Sequence, residues 1–113
     1  MKHQPLLKEN EQKAIAELKE RLKALYGSRF NQALLYGSKA RGDATQESDI
    51  DVLVVLNGLE NFREARNQIL HETNPIDLKH GVFLSVFAVD EDYFKKAREV
   101  PYYANVMAEG IPL

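Results

Sequence analysis

An α+β (α/β-like) fold, with a small mixed β-sheet flanked by helices, is predicted by three features of this 113-residue chain. Segments with apolar residues at helical spacing alternate with short apolar runs of strand length. Two of those runs, Ala33-Leu34-Leu35-Tyr36 and Val52-Leu53-Val54-Val55-Leu56, are separated by a polar stretch that starts at a glycine. The length is that of one domain, so residues 1–113 read as a single unit with one core. The order helix, strand, turn, strand, helix, strand, helix predicts helices lying on one side of the sheet.

Residues 10–25 carry Ile15, Leu18, Leu22 and Leu25 at helical spacing, with Gly27 as the stop. Strands are expected at 30–36 and 49–56, the second broken by Asn57-Gly58. A helix over 60–71 should turn Phe62, Ala65, Ile69 and Leu70 inward. Asn74-Pro75 should interrupt it, with one further turn at Ile76-Asp77-Leu78-Lys79. A third strand is expected from Val82 to Val89, then helical segments over 91–99 and 102–109 separated by Pro101. Among the aromatics, Phe83, Phe87, Phe94, Tyr102 and Tyr103 read as core or subunit-contact residues.

The chemistry concentrates between the first two strands. Asp49 and Asp51 are two apart at a strand start, so their side chains share a face while Ile50 takes the other. Two acids aimed at one point repel unless a cation lies between them. Mg²⁺ suits such a pair, because it binds one or two carboxylates and fills its other positions with water and phosphate oxygens. The Gly37-Ser38 turn can offer backbone N–H groups and a hydroxyl to those phosphates, above all where a helix begins. A plain turn glycine and a solvated strand start would account for each feature alone; together, they point to phosphoryl or nucleotidyl chemistry. Arg41 reads either as a phosphate contact or as an ion-pair partner of Asp43 or Asp49, and Lys39 as solvent-facing.

Composition narrows the classes. With 44% hydrophobic and 28% charged residues, the chain reads as an ordinary globular protein. Without cysteine, it has no disulfide framework or thiolate metal site, which agrees with a reducing cytoplasm. The start, Met1-Lys2-His3-Gln4-Pro5, lacks the apolar run of a secretory signal, and no apolar stretch approaches the ~18 residues of a membrane span. A net charge of −2 with dispersed basic residues speaks against direct nucleic-acid binding and for a free nucleotide. His3, His71 and His80 have no zinc spacing, and neither a P-loop nor a Gly-x-Gly-x-x-Gly pattern is present.

Gly37-Ser38, ten intervening residues and Asp49-x-Asp51 resemble the signature of minimal nucleotidyltransferases of the DNA polymerase beta superfamily. Ala40-Arg41-Gly42-Asp43 and Ser48 are similar to that family too. So, more weakly, are Gly81-Val82-Phe83-Leu84-Ser85-Val86 and the ending Asn105-Val106-Met107-Ala108-Glu109-Gly110-Ile111. The repeated triplet Tyr26-Gly27-Ser28 is an internal control, since its matching positions carry Lys39 and Arg41 instead of acids. The resemblance implies that Asp49 and Asp51 are catalytic and hold Mg²⁺ against ATP or another NTP. It implies that Gly37 and Ser38, with Arg41, bind the phosphates while NMP passes to a hydroxyl. Small members of this kind pair as antitoxins with HEPN-domain toxins and transfer AMP to a toxin tyrosine, so a HEPN-domain partner is the implied acceptor. A catalytically inactive nucleotide- or partner-binding protein and an antibiotic nucleotidyltransferase remain alternatives, and the oligomeric state stays open. The superfamily's third carboxylate has no counterpart inside the third strand, which leaves Ser85, Asp77 and Asp90 as candidates to complete the site.

Overall fold

The computed structural model of the protein describes residues 7–41, 49–96 and 100–113, without the side chains of Ser38, Tyr102 and Tyr103. Helix α1 (Glu9–Tyr26) leads through a short 3₁₀ turn at Gly27–Arg29 into strand β1 (Phe30–Tyr36). A five-residue helix α2 (Gly37–Arg41) follows, and then β2 (Ile50–Leu56). Helix α3 (Phe62–His80), β3 (Leu84–Asp90), α4 (Glu91–Lys96), α5 (Pro101–Glu109) and the short β4 (Ile111–Pro112) complete the order. The sheet runs β3-β2-β1-β4. β2 is antiparallel to β1 and parallel to β3, with α3 as the crossover between the parallel pair. β4 was not anticipated: two residues, one a proline, carry no periodicity, and pairing of Ile111 with Leu35 on β1 creates the strand.

Helices cover both faces, which corrects the one-sided layer expected from the order of elements. Side chains alternate along β2, and Ile50, Val52, Val54 and Leu56 pack with Ala14, Leu18 and Leu22 of α1 and Ile69 and Ile76 of α3. Leu53 and Val55 point the other way, to Val89, to Phe94 of α4 and to Val106 of α5. A central strand apolar on both faces has to be covered twice. The position at the end of α1 given to Leu25 belongs to Tyr26, while Leu25 is at the surface.

Helix α3 passes straight through Pro75 instead of ending before it. A proline inside a helix removes one backbone bond and costs about 3 kcal/mol. Burial of Thr73 and Ile76 on either side of it works in the opposite direction. Gly81 then closes the helix in the left-handed region at φ +66°, its N–H donating to the Asp77 carbonyl at 2.8 Å. The inner face of α3 is Ala65, Ile69 and Ile76; Phe62 and Leu70 face outward, contrary to expectation. Phe94 is core, as expected, whereas Phe83 and Phe87 are exposed. Residues 97–99 of the expected fourth helix and the side chains of Tyr102 and Tyr103 lie outside the described residues.

If α3 is held past Pro75 by Ile76, Ile76→Ala should lower unfolding stability by about 2–5 kcal/mol in urea titrations. Leu78→Ala, at a position 86% exposed on the same turn, should change it by less than about 0.5 kcal/mol.

Candidate active site

The sequence folds locally so that a turn and an acid come into contact. Tyr36 at the end of β1 pairs with Asp51 near the start of β2, and Gly37, the next residue, turns with φ +74°. That conformation suits glycine. Space makes the same demand: a Cβ on Gly37 would collide with Asp51 Oδ2 and lie 3.2 Å from its Cγ. Gly27, in the other Tyr-Gly-Ser triplet, also has positive φ, but a Cβ there would meet nothing within 4 Å. The two triplets thus differ in kind, one being a chain reversal and the other a packing contact against a carboxylate.

Burial pushes the Asp51 carboxyl above its ordinary value, the Asp49 charge adds to the rise, and Arg41 opposes it. Asp49 is exposed just before the strand. Their mutual repulsion identifies a place where positive charge is favoured, and two hard oxygen donors suit a divalent ion such as Mg²⁺. Among the described residues no group of three His, Cys, Asp or Glu is placed to hold a metal.

Residues around the pair fall into two groups. Ser85 stands in register with Asp51 on the neighbouring strand, as expected. Asp77, on α3, accepts the Leu84 N–H at 3.0 Å, and its carboxyl is raised by burial, lowered by that bond and raised again by the Asp49 charge. Asp90 is excluded as a third acid, because it pairs with Leu56, five positions along β2 from Asp51, or roughly 16 Å at strand rise. Its carboxylate accepts the Leu59 and Asp92 N–H groups at 2.8 and 3.1 Å. Arg41 has Glu109 of α5 as a partner at 3.4 Å, while Asp43, Ser48 and the Ser38 hydroxyl lie outside the described residues. His80 sits 3.2 Å from Glu17, and His71 is exposed. His3 is outside the described residues.

Lys39 is not solvent-facing; it is 4% exposed, and its ammonium lies 2.6 Å from Glu11 Oε2 on α1. Glu11 Oε1 accepts the Lys8 N–H at 2.9 Å. Burial works against the Glu11 charge, yet the Lys39 and Lys8 bonds hold its carboxyl below the ordinary value. A lysine straight after Gly37-Ser38 is therefore anchored into the body of the protein, and α2 with it. The signal was available in part: Glu11 precedes Ile15 by four and falls on the apolar face of α1. A cavity of about 350 Å³ lined by Tyr26, Arg29, Asn61 and Gln68 lies at the other end of the sheet and contains none of these acids.

The chain is similar to known proteins over most of its length. A family model described as "Nucleotidyltransferase domain" matches residues 15–103. A "Putative protein adenylyltransferase" of Methanocaldococcus jannaschii is 38% identical over 101 residues, covering 89% of this chain and 95% of the relative. A second protein of that description from the same organism is 30% identical over 71 residues, 63% of this chain and 71% of the relative. A crystal structure of a "putative nucleotidyltransferase" from Sulfolobus solfataricus aligns with a TM-score of 0.46 at 20% identity, covering 94% of this chain and 86% of that one.

Three outcomes are expected. Lys39→Met should cost about 3–5 kcal/mol by stranding Glu11, and the Lys39→Met, Glu11→Met double variant should recover most of that loss in urea titrations. Asp51 carries a raised carboxyl in the folded state, so its contribution to stability is present below the ordinary 3.8 and lost as pH rises through the raised value. Metal-free Asp51→Asn should therefore gain on wild type in thermal midpoint as pH rises above the ordinary 3.8. Gly37→Ala should abolish binding of a fluorescent ATP analogue, whereas Gly27→Ala should strain its turn and leave that binding intact.

Proposed function

Since the chain belongs to the nucleotidyltransferase domain family, we propose that it transfers AMP from ATP to a hydroxyl of a partner protein, using Asp49, Asp51, Gly37 and Ser38. The observation that carries this reading is the close approach of Gly37 to Asp51, which makes one site of the turn and the acid. Asp49 and Asp51 would hold Mg²⁺, which when bound neutralises phosphate charge as the α-phosphorus is attacked. The start of α2 presents backbone N–H groups that lack helical acceptors and suit the outer phosphates. Arg41, half-exposed beside the pair, adds positive charge toward the same phosphates. The acceptor oxygen bonds to the α-phosphorus, the α–β bridging bond breaks, pyrophosphate departs, and the hydroxyl proton passes to water.

A protein acceptor is favoured because both archaeal relatives are described as protein adenylyltransferases. The partner proposed is a cytoplasmic HEPN-domain toxin modified on a tyrosine, with this chain as antitoxin; the support is the resemblance of the motif. Residues 1–113 would form one domain, and the partner would position the acceptor hydroxyl. Proximity of that kind contributes roughly 7–11 kcal/mol in favourable cases. A second reading, a partner-binding protein without turnover, draws on Ser85 standing opposite Asp51 where a third acid would otherwise be sought.

The test is incubation with Mg²⁺, ATP labelled at the α-phosphate and the neighbouring gene's product. The expected outcome is label and an AMP-sized mass gain on the partner, absent with the Asp49→Asn, Asp51→Asn variant. Label on an aminoglycoside supplied in place of that product would make the protein an antibiotic nucleotidyltransferase. A partner bound and inhibited but never labelled would establish the binding-only reading.

A further inference from the structure

The sheet ends in an edge strand that carries no lysine, proline or bulge. β3 is an outer strand, and no strand of the described residues pairs with its far side. Ile50 is in parallel register with Leu84, and its N–H donates to the Phe83 carbonyl at 2.9 Å. In such a ladder the backbone groups of Phe83, Ser85 and Phe87 point to β2, and those of Leu84, Val86 and Ala88 point outward. The Leu84 N–H is taken by Asp77, which leaves Val86 and Ala88 as the open stretch. Edge strands are ordinarily blunted with lysine, proline or a bulge; β3 reads Leu-Ser-Val-Phe-Ala-Val-Asp and its pairing with β2 has no register shift.

A groove of about 320 Å³ runs along this edge. One wall is the outward stripe Phe62, Arg66 and Leu70 of α3, four residues apart; the other carries Phe83 and Phe87, 70% and 54% exposed. Arg66 has no carboxylate partner among the described residues. Asp49 lines the same groove, so whatever lies along β3 reaches the aspartate pair.

We propose that this edge is where the acceptor protein docks, through an extended segment that adds to the sheet beside β3 and carries the hydroxyl to Asp49. This inference rests on the reading that the acceptor is a polypeptide. Only an extended backbone supplies partners for the outward groups of Val86 and Ala88 while filling alternate apolar pockets. A small alcohol or sugar leaves those groups to water. The segment bears alternate apolar side chains for the Phe83 and Phe87 wall and a carboxylate for Arg66.

The probe is a display library of segments of about 12 residues, enough to span a strand, with one fixed tyrosine. It is selected on the wild-type protein with Mg²⁺ and a non-hydrolysable ATP analogue. Ala88→Pro removes one outward N–H and no bond within the sheet; Phe87→Ser removes an exposed ring. The expected result is peptides of alternating apolar pattern whose affinity falls about tenfold in each variant, the scale of one hydrogen bond or contact. Thermal midpoint and ATP-analogue binding should stay unchanged, and hydrogen exchange at Val86 and Ala88 should slow when peptide is added. Should Ala88→Pro unfold, Phe87→Ser and the exchange measurement decide alone. Failure to select any binder, or binders indifferent to the changes, overturns the proposal. So does protection of Val86 and Ala88 that rises with protein concentration alone, which would assign the edge to a second copy. With ATP labelled at the α-phosphate in place of the analogue, docking without labelling of the tyrosine would refute the transferase reading and leave the docking site standing; labelling indifferent to both variants would do the reverse.

Discussion

The contact between Gly37 and the Asp51 carboxylate governs this part of the molecule. It requires a residue with no side chain at positive φ, it brings the chain leaving β1 against the start of β2, and it half-buries a carboxyl beside a second one. Each of those conditions is unfavourable to the isolated fold. Burial and like charge raise the Asp51 carboxyl, and the Asp49 charge also reaches Asp77 on α3. A carboxyl perturbed by burial and by a like charge beside it is the physical pattern of a functional site.

The rest of the fold holds that contact in place. β1 and β2 fix its two sides through the Tyr36–Asp51 register. The Lys39–Glu11 pair ties α2 to the first turn of α1, with the remaining Glu11 oxygen taken by a backbone N–H. A buried ion pair is a poor source of net stability but a demanding one geometrically, since either partner alone is strongly disfavoured. Here the demand falls on the residue two positions after Gly37. The parallel β2–β3 pair does the same on the other side, setting Ser85 against Asp51 and exposing an unpaired edge within reach of Asp49.

Much of this was legible in the chain because local pattern and tertiary structure agree. The strand at 30–36 was read with its observed bounds, and α1 and β2 within a residue at each end, since apolar periodicity and glycine stops mark them. The mixed sheet with flanking helices followed from those elements, and the nucleotidyltransferase family from the resemblance of the Gly-Ser, Asp-x-Asp motif. What was misread depended on contacts distant in sequence. Pro75 ought to break a helix locally, but Ile76 is needed in the core. Lys39 looks solvated until Glu11, 28 positions earlier, is brought beside it. Phe62 and Leu70 fit an inward face by hydrophobicity, but they line the groove beside β3. Asp90 looked as near the acids as Asp77, and only the parallel register separates them.

The central claim is that the Gly37 turn and the aspartate pair form one nucleotide site. The most direct measurement is a crystal structure of the protein soaked with Mg²⁺ and a non-hydrolysable ATP analogue. The account requires a metal at about 2.1 Å from carboxylate oxygens of both Asp49 and Asp51, with the outer phosphates on the backbone N–H groups at the start of α2. A nucleotide seated elsewhere, for instance in the cavity between Tyr26 and Gln68, with the aspartates unliganded, would contradict it.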